Sequence, residues 1–393
     1  MDLDAVLDAS EPEAFDGDDP PGRAASGARF EREFLAHRGD PLQAARRAGA
    51  GRGASPIIGS SPPEPHPDRT SRGERGEMSA AEKWNVLVTG GAGFIGSHVA
   101  EAYLRDGHRV VVVDNLSTGS RERVPAGARF VEDDLTRMNL AALLREEKIS
   151  VVNHHAAQID LRASVRDPVW DAKINVIGSL TVLEACREAG ARRVIFSSTG
   201  GAIYGEPEGE KADESHPTNP VSPYGVAKLS VEKYLHFYRV EHGFQTIVFR
   251  YANVYGPGQN GKGEAGVVAI FAEKMLRGEA PLIHGDGDQT RDYVFVLDCV
   301  EANRRAIDSD ASGIWNVGTG VETSVNRMES LIRRSIPEAP PAVHGAAAPG
   351  EQRRSVLDGR KMLRDFGVGG YTPLEKALEP TIAWFRTHAP AAR

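Results

Sequence analysis

The sequence predicts an α/β fold: a doubly wound parallel sheet carrying a smaller C-terminal lobe. Three observations lead there. From Asn85 onward, short apolar runs alternate with helical stretches. The first run ends in a glycine-rich turn that opens a helix, and after residue 256 the texture changes to Gly- and Pro-broken segments. Strand–helix alternation buries a parallel sheet between two helical layers. Ligands of such sheets bind at the carboxyl ends of the strands.

In chain order, NVLVT (from Asn85) is a short buried strand, and FIGSHVAEAYLRDG is a helix ending at Gly107. RVVVVD gives a second strand closing at Asp114, and ARFVEDDL a third reaching Asp134. The charged helix NLAALLREEK leads to strand four, ISVVNHHAA. The amphipathic helix NVIGSLTVLEACREAG is followed by strand five, RRVIFSS. SPYGVAKLSVEKYLHFYRVEHG is a long helix and FQTIVFRYANV strand six. Chemistry is therefore expected at Thr89, Asp114, Asp134, His154, Ser197 and Asn253. Beyond them come a Gly-rich loop, the helix VVAIFAEKMLRG, the turn HGDGDQTRDY and a proline-broken stretch from Pro337 to Pro349. The expected division is a leader over 1–83, a nucleotide-binding domain over 84–256, and a substrate lobe over 257–393 with strands returning to the sheet.

Residues 1–83 hold ten Val, Ile, Leu or Phe against 26 Gly, Pro or Ser. That is below the roughly 20% apolar content at which a segment offsets its chain entropy, so the leader is expected to be disordered. It fits neither a transit peptide nor a secretory signal, and Met78 is read as a native start. With 11 basic and 16 acidic residues the leader supplies −5 of the total −8, which leaves −3 for the rest. No field attracts a polyanion, so nucleic-acid binding is excluded. No run of about 18 apolar residues exists to span a membrane. Cys186 and Cys299 sit in apolar stretches without metal-ligand spacing, which points to a reducing cytosol and no metal.

VLVTGGAGFIGSHVA contains both TGxxGxxG and GxGxxG. Gly90 permits the tight turn, Gly93 lets backbone approach a pyrophosphate, and Gly96 allows close helix–strand packing. The helix N-terminus then faces the phosphates with free N–H groups. Asp114 at the end of strand two accepts from ribose hydroxyls and repels a 2′-phosphate, so NAD is favoured over NADP. Asp134 and Leu135 flank the adenine.

In SPYGVAK, Tyr224 and Lys228 lie four apart and project from one helix face. An ammonium beside a phenol favours the phenolate, a usable base at neutral pH. Ser197, Ser198 and Thr199 supply hydroxyls at the same sheet edge, Thr199 to the substrate hydroxyl.

TGGAGFIGSH, DNLSTG, HAAQ, Asn175, FSSTGGAIYG, SPYGVAK, RYANVYG, GDGDQTRDY and NVGTG occur in this order. From about Asn85 to the C-terminus the chain resembles the extended short-chain dehydrogenase/reductase family, in its UDP-glucose 4-epimerase branch. The resemblance implies a Rossmann domain, NAD, a UDP-sugar substrate and a homodimer. It implies cofactor contacts from Phe94, Ile95, Asn115, Thr118, Ala156, Ala157, Gln158, Asn175, Ser197 and Tyr251, besides the residues above. It implies catalysis by Thr199, Tyr224 and Lys228, and substrate contacts from Ser198, Asn253, Arg291 and Ser355. Sugar 4,6-dehydratases of the family carry an Asp-Glu pair where this chain has Gly200 and Gly201. Uronate 4-epimerases are also similar, through Arg162, but usually have Thr in place of Asn253. An NAD-sensing protein is the rival outside enzymes. The family's later phosphate arginine falls at Ala348, and Arg353 or Arg354 is the candidate replacement. Ser355 stands where glucose-restricted members have a bulky Tyr; a surface serine is the other reading of it.

Overall fold

The computed structural model describes residues 83–388 apart from 208, 210, 262–265 and 348–351. The leader up to residue 82, Met78 and Ala348 lie outside the described residues.

β1 (Asn85–Thr89) is flanked by parallel neighbours, β2 (Arg109–Asp114) on one side and the later β4 on the other. β3 (Arg129–Glu132) extends β2, and β4 (Val151–His154) continues to β5 (Arg193–Thr199) and β6 (Gln245–Tyr251). The chain then leaves the sheet for β7 (Asn253–Tyr255), β8 (Leu282–His284) and β9 (Thr290–Phe295). It returns as β10 (Gly313–Val317), which pairs with β6. The sheet order is β10-β6-β5-β4-β1-β2-β3, parallel throughout. Its central strands are unbroken apolar runs because helices cover both faces; Val86 to Val88 and Val110 to Val113 are all buried.

The twofold side-chain period splits the core. Val86, Val88, Ile195 and Phe249 pack with the helices Phe94–Arg105 and Val296–Ile307. Leu87, Val111, Phe196 and Val248 pack with Leu140–Glu146, Gly178–Ala189 and Pro223–His242. A third core, including Phe271, Met328, Ile332 and Phe385, fills the second lobe. There β9 pairs with β7, with β11 (Glu322–Ser324) and with β13 (Arg354–Ser355), while β8 pairs with β12 (Val343–Gly345).

The stretch expected as one amphipathic helix begins differently. The helix Pro168–Ala172 runs into a π turn, Lys173–Ile177, before Gly178–Ala189. Such wide turns concentrate at functional sites, and this one holds Asn175. Among the described residues no helix is long and apolar enough to cross a membrane.

Candidate active site

The turn after β1 is shaped by what glycine lacks. Gly90 has φ +67°, and a Cβ there would lie 2.6 Å from the Ala156 nitrogen. A Cβ on Gly96 would lie 2.3 Å from the Gly90 carbonyl oxygen. The helix Phe94–Arg105 starts at Gly93 with no side-chain cap, leaving its first turn to a ligand. Phe94 and Ile95 turn their side chains into the second lobe's core, so only their backbone faces the turn.

At the end of β2, the Asp114 carboxylate accepts from Ala92 N (3.0 Å) and Leu116 N (2.8 Å). It thereby ties the glycine turn to the loop carrying Asn115 and the exposed Thr118. Asn115 Nδ2 donates to Asp134 Oδ2 (3.3 Å), and hydrogen bonds from Thr136 hold the Asp134 carboxyl below its ordinary range. Leu135 packs on the core below.

Ser222 caps the long helix by accepting from Gly225 N, with Pro223 at its first position. Tyr224 and Lys228 follow one turn apart. Lys228 is buried; its Nζ donates to Ser197 O (2.9 Å) and sits 4.7 Å from the Phe196 ring centroid and 5.8 Å from that of Tyr224. Burial pushes the ammonium down to about 8, opposed by Asp171 and Glu232. Burial also pushes the Tyr224 phenol up, and the Asp171 charge adds to this. Both effects oppose the phenolate that the Lys228 ammonium is expected to favour.

The substrate side converges on Gly201. A Cβ there would lie 3.8 Å from Thr199 Oγ1, 3.9 Å from Ser355 Oγ and 4.0 Å from Asn253 Nδ2. Asn253 is anchored by donating to Asp292 O (3.2 Å). Ser355 is buried on β13 opposite Arg291 in β9, so it is no surface serine.

The NAD dependent epimerase/dehydratase family model matches residues 86–318. UDP-glucose 4-epimerase from Thermotoga maritima, solved with UDP-glucose, is 44% identical with a TM-score of 0.75, covering 77% of this chain and 99% of that one. UDP-glucose 4-epimerase from Thermus thermophilus, solved with NAD, is 43% identical with a TM-score of 0.74 and the same coverage. UDP-N-acetylglucosamine 4-epimerase from Methanobrevibacter ruminantium, in complex with UDP-N-acetylmuramic acid, is 32% identical with a TM-score of 0.73, covering 78% and 99%. The chain belongs to the NAD dependent epimerase/dehydratase family.

NAD fits this family member on its own geometry. The glycine turn is a cradle that any Cβ at Gly90 or Gly96 would fill, beside an uncapped helix start. Around it, Gln158 N donates to Asn175 Oδ1, and Asn175 Nδ2 donates to Gln158 O, both at 2.9 Å. These bonds fix the half-buried Ala156 and Ala157 against the turn.

Several expected residues serve other purposes. His154 is structural: Ala156 N donates to Thr89 Oγ1 and Ser179 Oγ to Asn175 O, so the chain runs through a neutral imidazole carrying its proton on Nε2. Ser198 points to the opposite face from Thr199, as strand alternation demands; its hydroxyl donates to Glu232 Oε1 (2.6 Å). The Tyr251 hydroxyl accepts from Asn303 Nδ2 (2.7 Å) in a buried cluster with Asn153 and Tyr103, away from the cradle. Arg353 pairs with Asp286 (3.0 Å) and Arg354 with Glu322 (2.7 Å). Those carboxylates supply the partners that a phosphate was expected to supply. Arg162 is exposed on the helix Leu161–Arg166.

Two groups went unread in the sequence. The Glu232–Arg250 ion pair is fully buried and extends to Tyr204 and Asn316; the only signal was an acid eight residues after Tyr224. Asp171 is buried on the helix that packs along the one bearing Tyr224 and Lys228, signalled only by its place four residues before Asn175.

Proposed function

We propose that the protein is an NAD-dependent 4-epimerase of UDP-hexoses, acting on the UDP-glucose/UDP-galactose pair with room for the N-acetylhexosamine pair. The observation that carries this reading is the convergence of Thr199, Asn253 and Ser355 around Gly201, on the strand edge that the Lys228 ammonium binds through Ser197. Held at the glycine turn of Gly90, Gly93 and Gly96 and at the uncapped helix start, NAD would supply a reversible hydride acceptor for the sugar C4.

The remaining work falls to the chain. Tyr224 takes the proton of the sugar 4-hydroxyl and gives it back after the sugar has turned. Thr199 holds that hydroxyl. Lys228 holds the nicotinamide ribose and keeps a positive charge beside the phenol. Asn253 and Arg291 anchor UDP while the sugar rotates about its phosphate linkage. The Asp-Glu pair used for elimination is absent, and a side chain on Gly200 would have to displace Leu357, whose Cδ1 lies 2.4 Å from where its Cβ would be.

The test is incubation with UDP-galactose, UDP-N-acetylgalactosamine and UDP-glucuronate without added cofactor. C4 inversion of the first two without net NADH release is expected. Inversion of UDP-glucuronate alone would move the reading to a uronate epimerase, and inertness toward all three to an NAD sensor. Tyr224→Phe is expected to cut turnover by at least a hundredfold with NAD still bound; near-normal turnover would remove Tyr224 from its role.

We also infer a homodimer in the cytoplasm. The helices Leu161–Arg166 and Pro168–Ala172 lie beside Pro223–His242 and leave Val165, Val169, Phe237 and Val240 exposed. Exposed large apolar side chains on neighbouring helices support an interface there. Val240→Glu is expected to yield monomers in analytical ultracentrifugation; a wild-type monomer at micromolar concentration would overturn the inference. The two cysteines are free thiols, as expected in a reducing compartment.

A further inference from the structure

One buried acid that the reaction does not consume sits beside its base. Asp171 is fully buried on the helix Pro168–Ala172, which packs along the helix bearing Tyr224 and Lys228. Its Oδ1 accepts from Gln158 Nε2 (3.0 Å) and Asn175 Nδ2 (3.1 Å). Its Oδ2 is buried and accepts no hydrogen bond from the described residues. Two neutral amides orient this carboxyl without bringing it a countercharge. Gln158 and Asn175 are themselves locked by reciprocal backbone bonds, so the carboxyl has one orientation.

The charged and titratable groups facing the pair are few. From their own helix comes Glu232, already clamped by Arg250. From the end of β4 come His154 and His155, which burial holds neutral. From the helix Pro168–Ala172 comes Asp171, which acts on both Tyr224 and Lys228. Lys228 makes no ion pair with it and donates to Ser197 O instead. The two charges therefore interact at a distance rather than by contact, between side chains buried from solvent, where screening is weaker than at the surface.

We propose that Asp171 is a positioning residue of the epimerisation: its buried carboxylate, fixed by Gln158 and Asn175, keeps Lys228 charged and sets the pH window in which Tyr224 exchanges its proton. The proposal rests on Tyr224 being the base. A negative charge raises the proton affinity of a neighbouring phenol and of a neighbouring amine alike. Removing it must therefore move both ionisations to lower pH.

Asp171→Asn keeps an acceptor for Gln158 and Asn175 and removes only the charge. The experiment measures kcat with UDP-galactose from pH 5.5 to 10 for wild type, D171N, D171E and Y224F. Both limbs of the D171N profile are expected about half a pH unit or more lower. Its kcat relative to wild type is then about three times larger on the acid limb than on the plateau. D171E is expected to restore the limbs. A D171N profile lowered uniformly, with limbs unmoved, overturns the proposal and leaves Asp171 a packing residue. Asp171→Ser, also uncharged, carries the same test if the asparagine variant fails to fold. Wild-type turnover in Y224F would instead overturn the reading of the base, whatever the limbs do.

Discussion

Gly93 and Gly96 differ in what they tolerate. A Cβ on Gly96 meets the Gly90 carbonyl at 2.3 Å, whereas one on Gly93 meets the same atom at 3.1 Å. Overpacking against backbone costs about 1–3 kcal/mol. Gly96→Ala is therefore expected to lower the melting temperature and strip NAD from the purified protein. Gly93→Ala should fold nearly as wild type, as scanning calorimetry with the NAD content of each variant will show. Ser355→Tyr fills the space that Thr199 and Asn253 share. It is expected to cut turnover of UDP-N-acetylgalactosamine at least tenfold while sparing UDP-galactose. Equal losses on both sugars would remove Ser355 from selectivity. His154 and His155 are both pushed down to about 3 by burial. A histidine depressed on folding stabilises above its unfolded value, and that contribution is lost as pH falls below about 6.5. Each adds a slope of about 1.4 kcal/mol per pH unit. Among the described residues the His155 ring nitrogens find no hydrogen-bond partner. Urea melts from pH 7 to 4.5 are thus expected to fall less steeply in His155→Leu than in wild type.

At the scale of elements, β5 explains why part of the site was legible and part was not. The run of apolar residues ending in three hydroxyls marks a strand edge where ligands bind. Which hydroxyl faces the ligand depends on strand phase, and phase depends on the helix that covers each face. Ser198 therefore belongs to the ion pair of Glu232 and Arg250. Removing a partner from such a buried pair costs about 1–3 kcal/mol. Ser198→Ala is expected to lose that much stability in denaturant titration, with KM for UDP-galactose within twofold of wild type. A large KM change with unchanged stability would return Ser198 to the substrate. Tyr251 shares the face of Thr199, its register partner, but its hydroxyl is taken up by Asn303. The π turn was illegible because nothing in KINVI separates a wide turn from a helical one. The strands β7, β8, β11, β12 and β13 span two or three residues each. No periodicity can announce them; distant partners define them.

Across the whole molecule, five of the first six strands could be read because each is an apolar run buried on both faces, punctuated by glycine or a polar end; β3, at the sheet edge, is short and only half-buried. In the second lobe the sequence showed the helix now seen at Val267–Leu276, but otherwise only a change of texture. Its core joins Phe271 and Met328 to Ile382 and Phe385, separated by long stretches of chain. Asp292 links the pieces: its carboxylate accepts from the backbone of Thr319, Gly320 and Leu357, and its own carbonyl holds Asn253. Burial pushes its carboxyl up while these donors hold it down. Asp292→Asn is expected to loosen the substrate side first, raising KM for the nucleotide sugar more than it lowers NAD content.

β10 gives the molecule one more property. The strand that completes the large parallel sheet is made after the first part of the second lobe, so the chain passes out through residue 252 and back at residue 313. On the ribosome, the cofactor half stays unfinished until that part of its partner has emerged. The same threading governs recombination between relatives. A crossover at a single point mixes sheet and lobe from different parents, whereas an exchange bounded at 252 and 295, before the helix Val296–Ile307 that packs on the sheet, moves that part of the lobe as a cassette. New sugar preferences are therefore easier to acquire by insertion than by fusion.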